Sequence, residues 1–239
     1  TGLQTMKGKP EISEFNRHPY AFLNKINPVN MLLDFVTTTE PKYDTAGDPI
    51  PKTFKIDAYS SVTAYCTDVN TNGNKTLNLW VANNCGSNHD EPCADLSYEK
   101  SISDLADLFL MNDSNDNNDI YDWITNLYGA EYGDTDWDEV ADDAKDVLIT
   151  PNNEITILLL DIDNDQSANS GVLGYFWAKD NFKTSAISYS NQRIMFYMDS
   201  YLYKNHTDEI ISALAHELQH MIHFYQKTVL LTNGNTETW

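Results

Sequence analysis

Six histidines are scattered through the 239 residues, and three of them, His216, His220 and His223, fall close together near the end. The first two bracket Glu217-Leu218-Gln219, giving the pattern His-Glu-x-x-His. At about 100° per residue, helix positions four apart differ by roughly 40°, so both imidazoles can reach one metal ion. Neutral imidazoles suit Zn²⁺; a third protein ligand completes an open catalytic site and water takes the remaining position. Glu217 is not a ligand in this pattern. It takes a proton from the water that attacks a carbonyl and hands it to the leaving amine. Peptide-bond hydrolysis is the reaction these residue types suit, and the competing reading is a chance run of surface histidines on a polar helix face.

The elements around this motif must position it. Thr207 is a good N-cap, Asp208 and Glu209 suit the positive end of a helix dipole, and Ile210, Leu214, Leu218, Met221 and Tyr225 recur at helical spacing. This stripe faces a core, and the three histidines fall on the opposite face. A third His ligand in the common arrangement needs Gly seven residues after the first His and His ten after, but those places hold His223 and Gln226. His223 lies about 10 Å along the axis from His216, too far for all three to share one ion well. The acid that follows, Glu237, is close to the C-terminal Trp239.

Upstream, residues 155–160 form the clearest buried strand, and 171–178 and 194–198 are plausible neighbours rich in aromatic and branched side chains. The 171–178 stretch is a candidate edge strand beside the helix, where an extended peptide can add. Residues 55–66 and 77–82 read as a hairpin joined by 68–74, with Asn72-Gly73 as the turn. Residues 101–111 read as a helix capped by Ser101 or Ser103, and 123–128 as a short buried segment between two acidic, solvated ones. The fold expected is α+β, a mixed twisted sheet packed on the active-site helix. Residues 1–55 read as an irregular N-terminal arm broken by prolines, with a possible strand at 29–35, and 56–239 as the catalytic domain.

Fifteen Lys and Arg against 36 Asp and Glu give a net charge of −21, which repels phosphate and disfavours nucleic acid and anionic membranes as partners. No apolar run approaches the roughly 20 residues of a membrane span. Cys66, Cys85 and Cys93 allow at most one internal disulfide, and Cys85 with Cys93 would close a short loop. Asp161, Asp163 and Asp165 alternate after a strand like the first half of a calcium loop, but Gln166 stands where the turn glycine belongs and Val172 where the closing Glu belongs. A solvated turn is the default there, and Ca²⁺ is kept as a possible ligand. Asp113, Asn115, Asn117 and Asp119 pose the same alternatives.

Taken together, Ala215-His216-Glu217-Leu218-Gln219-His220-Met221-Ile222-His223-Phe224 and the closing Glu237-Thr238-Trp239 resemble the hyicolysin-type zinc metallopeptidases of bacteria. Weaker echoes are Leu77-Asn78-Leu79-Trp80-Val81, the stretch 118–129, and Gly171-Val172-Leu173-Gly174-Tyr175-Phe176-Trp177. The resemblance spans roughly residues 56–239. It implies a secreted or cell-surface endopeptidase acting on protein or peptide substrates, with His216 and His220 as zinc ligands and Glu217 as catalytic base. It also places the third ligand beyond Trp239, so that this chain is expected to lack its C-terminal subdomain and to be weakly active alone. The start at Thr1, without an initiator Met, likewise reads as part of something longer. The alternative is a non-catalytic, secreted calcium-binding or adhesion module that keeps His-Glu-x-x-His as a relic.

Overall fold

The computed structural model describes residues 9–23, 46, 51–85, 100–112, 119–134 and 137–230. Its centre is set by three apolar runs that water would not tolerate on either face: β3 (Lys75–Ala82), β4 (Glu154–Leu160) and β6 (Met195–Asp199). They lie side by side and parallel, the arrangement in which strands are buried on both faces. β1 (Lys52–Lys55) and β2 (Ser61–Asn72) extend the sheet antiparallel beyond β3, and β5 (Gly174–Phe176) closes the other end antiparallel to β6. The strand order is β1-β2-β3-β4-β6-β5, so β5 is an edge, as the sequence suggested.

Helices cover the sheet. α3 (Ile102–Phe109) packs on β2 and β3 and is started by a capping box in which Ser101 and Asp104 satisfy each other's backbone amides. α6 (Ser200–Asn205) follows β6 directly, with the Asp199 side chain accepting from the Leu202 amide at 2.8 Å. α7 (Thr207–His223) packs against β5, β6 and α6, and continues into a π-helical stretch, Phe224–Leu230. α4 (Ile120–Tyr128) lies across α7, and α5 (Asp142–Val147) leads toward β4. Two buried ion pairs anchor the loops between these elements: Lys75 with Glu131 at 2.6 Å, and Lys179 with Asp180 at 2.6 Å. The Tyr197 hydroxyl and the Asn191 amide also donate to Asp180, each at 2.7 Å, which satisfies a carboxylate that burial alone would make costly.

Several sequence expectations need correcting. The N-terminal arm is not irregular throughout: α1 (Pro10–Arg17) and α2 (Pro19–Leu23) are helical, because each proline stands at the first helical position, where its missing N–H costs nothing. Residues 52–55, placed in the arm, belong to the sheet. The proposed strand at 29–35 lies outside the described residues. Residues 55–66 are two strands with a turn between them, and the second hairpin turns one residue later than Asn72-Gly73. Asn72 pairs with Lys75, leaving Gly73 and Asn74 as the central pair, with Gly73 at φ +59°.

Nor is 123–128 a buried segment. α4 buries Tyr121 and Ile124, with Ile120 partly buried beside them, and Trp123 and Leu127, four apart on the other side of the helix, are 67% and 62% exposed. Cys85 is disulfide-bonded and Cys66 is a buried thiol; Cys93 lies outside the described residues. Among the described residues, no helix is long and apolar enough to cross a membrane.

Candidate metal centre

The helix that carries the motif begins where α6 ends. Thr207 is its first residue and not its cap, and its hydroxyl is turned back to donate to the Tyr203 carbonyl at 2.8 Å. Asp208 and Glu209 in the first turn face the positive end of the helix dipole. Ile210, Ala213, Leu214, Leu218, Met221 and Ile222 are buried and hold α7 against the sheet. Thus fixed, α7 leaves His216 exposed and His220 half-buried on its outer side.

The two imidazoles are turned toward each other. Their Nε2 atoms stand 3.0 Å apart, and the rings meet edge to face with centroids 4.6 Å apart. Two nitrogens bound at about 2.0–2.1 Å to one tetrahedral ion would be separated by roughly 3.3–3.4 Å, so a few tenths of an ångström of ring movement would let the pair hold a zinc ion. Burial pushes the His220 imidazole down to about 4, and the positive charges of His216, His223 and Arg17 add to this. It is therefore neutral at pH 7, the form that binds a metal. His223 is also shifted down, by burial and then by Lys227.

Glu217 lies next to His216 in the chain. It is seven residues after Ile210 and so shares the apolar face, where it is fully buried. Its Oε2 accepts from the Phe176 amide of β5 at 3.0 Å, while Oε1 is buried with no hydrogen-bond partner among the described residues. Burial pushes this carboxyl up to about 8, against the lowering effect of the Phe176 N–H. An orphaned carboxylate oxygen next to a pair of converging imidazoles is the kind of unsatisfied group that a cation or a water nearby would complete.

The third ligand is not in this set. Among the described residues no group of three or more His, Cys, Asp or Glu side chains is placed to hold a metal. The same observation gives the calcium expectation no support. Both Asp161 oxygens are spent on backbone amides, those of Asp165 and Gln166, each at 3.1 Å. Asp163 pairs with Lys9 at 3.1 Å, and Asp165 accepts from the Ser167 amide at 2.9 Å. The three carboxylates fold a turn and do not converge. Asp113, Asn115 and Asn117 lie outside the described residues, and Asp119 caps α4 by accepting from the Asp122 amide at 2.8 Å.

Two participants were not read as such from the sequence: the Phe176 amide, which holds Glu217, and Asn16 of α1. The Asn16 amide donates to the Phe176 carbonyl at 2.7 Å, and its oxygen accepts from the Ala178 amide at 2.7 Å. The signal for α1 was Pro10 followed by Ile12 and Phe15 at helical spacing.

A helix presenting His-Glu-x-x-His beneath the edge of a mixed sheet is the arrangement of metal-dependent peptidases. The chain matches the family described as Peptidase M30 over residues 57–239, and it belongs to that family. The hyicolysin-type resemblance read from the sequence is thereby borne out, and with it membership of a peptidase family. No curated protein and no solved structure matches the chain.

Proposed function

We propose that this chain is the zincin-like catalytic part of a secreted or cell-surface zinc metalloendopeptidase, with His216 and His220 holding the ion and Glu217 serving as general base. The observation that carries the reading is the 3.0 Å approach of the two Nε2 atoms, one residue from a buried carboxylate with an unpartnered oxygen. Zinc held there would supply Lewis acidity to the attacking water and to the scissile carbonyl. The chain's own residues do the rest. Glu217 Oε1, which has no hydrogen-bond partner among the described residues, would take the proton of the attacking water and return it to the leaving nitrogen once a cation beside it favours its ionised form. The Phe176 N–H fixes Oε2 and so sets the direction of Oε1. A third protein ligand, not found among the described residues, would complete the set.

The disulfide at Cys85 supports an extracytoplasmic setting, where such bonds persist. The net charge of −21 argues for protein or peptide substrates over nucleic acid. Glu217→Gln tests the reading. Zinc bound as in the parent with proteolysis of unfolded casein abolished supports it; proteolysis that survives the change contradicts it.

A further inference from the structure

β5 is the last strand of the sheet, and the outward backbone groups of Phe176 at its end are already hydrogen-bonded. Phe176 faces Phe196 of β6, yet its own N–H and C=O both turn away from that neighbour. The N–H goes to Glu217; the C=O goes to Asn16. Extended backbone continues through Trp177, at φ −125° and ψ 108°, and the Ala178 N–H goes to the other atom of the same Asn16 carboxamide. A carboxamide carries the same donor and acceptor as a peptide group. Asn16 therefore satisfies this edge as a stretch of added chain would, directly beside Glu217.

α1 depends on its surroundings to stay folded. It is eight residues long, too short to be stable by itself, and Lys9 gives it no side-chain cap. It is held by tertiary contacts: Ile12 and Phe15 are buried, and Phe15 stands edge-on to Trp177 and Phe182 at 6.5 and 6.0 Å. Arg17, the next residue after Asn16, is near enough to His220 for its charge to act there. α1 also lies before the region, 57–239, that the family match covers.

We propose that α1 is an internal competitor for the sheet edge: the Asn16 carboxamide occupies main-chain positions on Phe176 and Ala178 that an extended peptide needs in order to lie along β5 past His216, Glu217 and His220. This rests on the reading of the chain as a peptidase. α1 must release Phe176 and Ala178 before a substrate docks, so the segment sets the apparent affinity for substrate and leaves the chemical step alone.

The test is a binding titration with metal-free protein in chelator, where cleavage cannot occur, using fluorescein-labelled oxidised insulin B chain and fluorescence anisotropy. Asn16→Ala removes both bonds and keeps a helix-forming residue. Asn16→Asp keeps the acceptor for Ala178 but loses the donor to Phe176. Because each ordinary hydrogen bond is worth a factor of roughly 2 to 10, Asn16→Ala is expected to bind the peptide at least about fivefold tighter than the parent, with Asn16→Asp in between. Equal or weaker binding by Asn16→Ala, or no binding by any form, overturns the proposal. If Asn16→Ala fails to fold, Asn16→Asp decides alone: tighter than the parent supports, equal or weaker overturns. Failure of the peptidase reading looks different, since the protein would then take up no zinc that His216→Ala removes, whatever its affinity for the peptide.

Discussion

Two stretches of this chain are rich in residues that bind metals, and only one is arranged to do so. In the loop 161–165 every carboxylate is occupied: Asp161 with two backbone amides, Asp163 with Lys9, Asp165 with Ser167. On α7 the polar atoms are left over. The imidazole nitrogens of His216 and His220 face each other at 3.0 Å, and Glu217 Oε1 is buried without a partner. Residue type and spacing are alike suggestive in both places, so what separates a site from a turn is whether the backbone has already taken the lone pairs.

The sharpest way to break this comparison is at Glu217. Glu217→Gln is expected to lower kcat on unfolded casein by about a thousandfold or more while zinc content stays at the parent level, the range for loss of a general base. Next, His220→Ala should strip zinc, read by elemental analysis, and remove activity with it, whereas Asp163→Ala in the acidic loop should leave both unchanged. A smaller effect belongs to the loop itself: Asp161→Ala orphans the amides of Asp165 and Gln166 and should destabilise the fold by roughly 1–3 kcal/mol in urea titrations, with no change in bound metal.

The acidic region should answer to protons where α7 answers to metal. Burial pushes the Asp199 carboxyl up to about 7, despite amide donors from Ile162 and Leu202, and the neighbouring charges of Asp161 and Asp165 push the same way. A carboxyl whose folded value lies above its unfolded one holds its proton longer in the native state. Stability is therefore expected to fall as pH rises from about 4 to about 7 and to level off above, at up to about 1.4 kcal/mol per pH unit from this group. Asp199→Asn should flatten that slope in urea titrations across the range. Smallest of all is the response to Ca²⁺, which should produce no binding heat with metal-free protein.

Where the signal was local, the sequence was readable. α7 announced itself by its apolar period and acidic first turn, α3 by Ser101, and the central strands by uninterrupted apolar runs, because such features depend on a residue's own neighbours. The M30 relationship was legible for the same reason, being carried by contiguous residues of one helix. Long-range partners were not legible. Asn16 meets Phe176 across 160 positions and Phe176 meets Glu217 across 41, and no pattern along the chain specifies either pair. The exposure of Trp123 and Leu127 was misjudged because apolar character alone was taken for burial, when the helical period puts those two on the side away from Tyr121 and Ile124. The acidic loop misled because alternating carboxylates serve turns and ions equally well until the backbone amides are placed.

Metal content decides whether α7 is a metal centre. Protein prepared without chelator should be compared with its His216→Ala variant by elemental analysis. Bound zinc in the parent protein, lost from the His216→Ala variant, is the expected result. No zinc in the parent, or zinc indifferent to His216→Ala, would contradict the assignment.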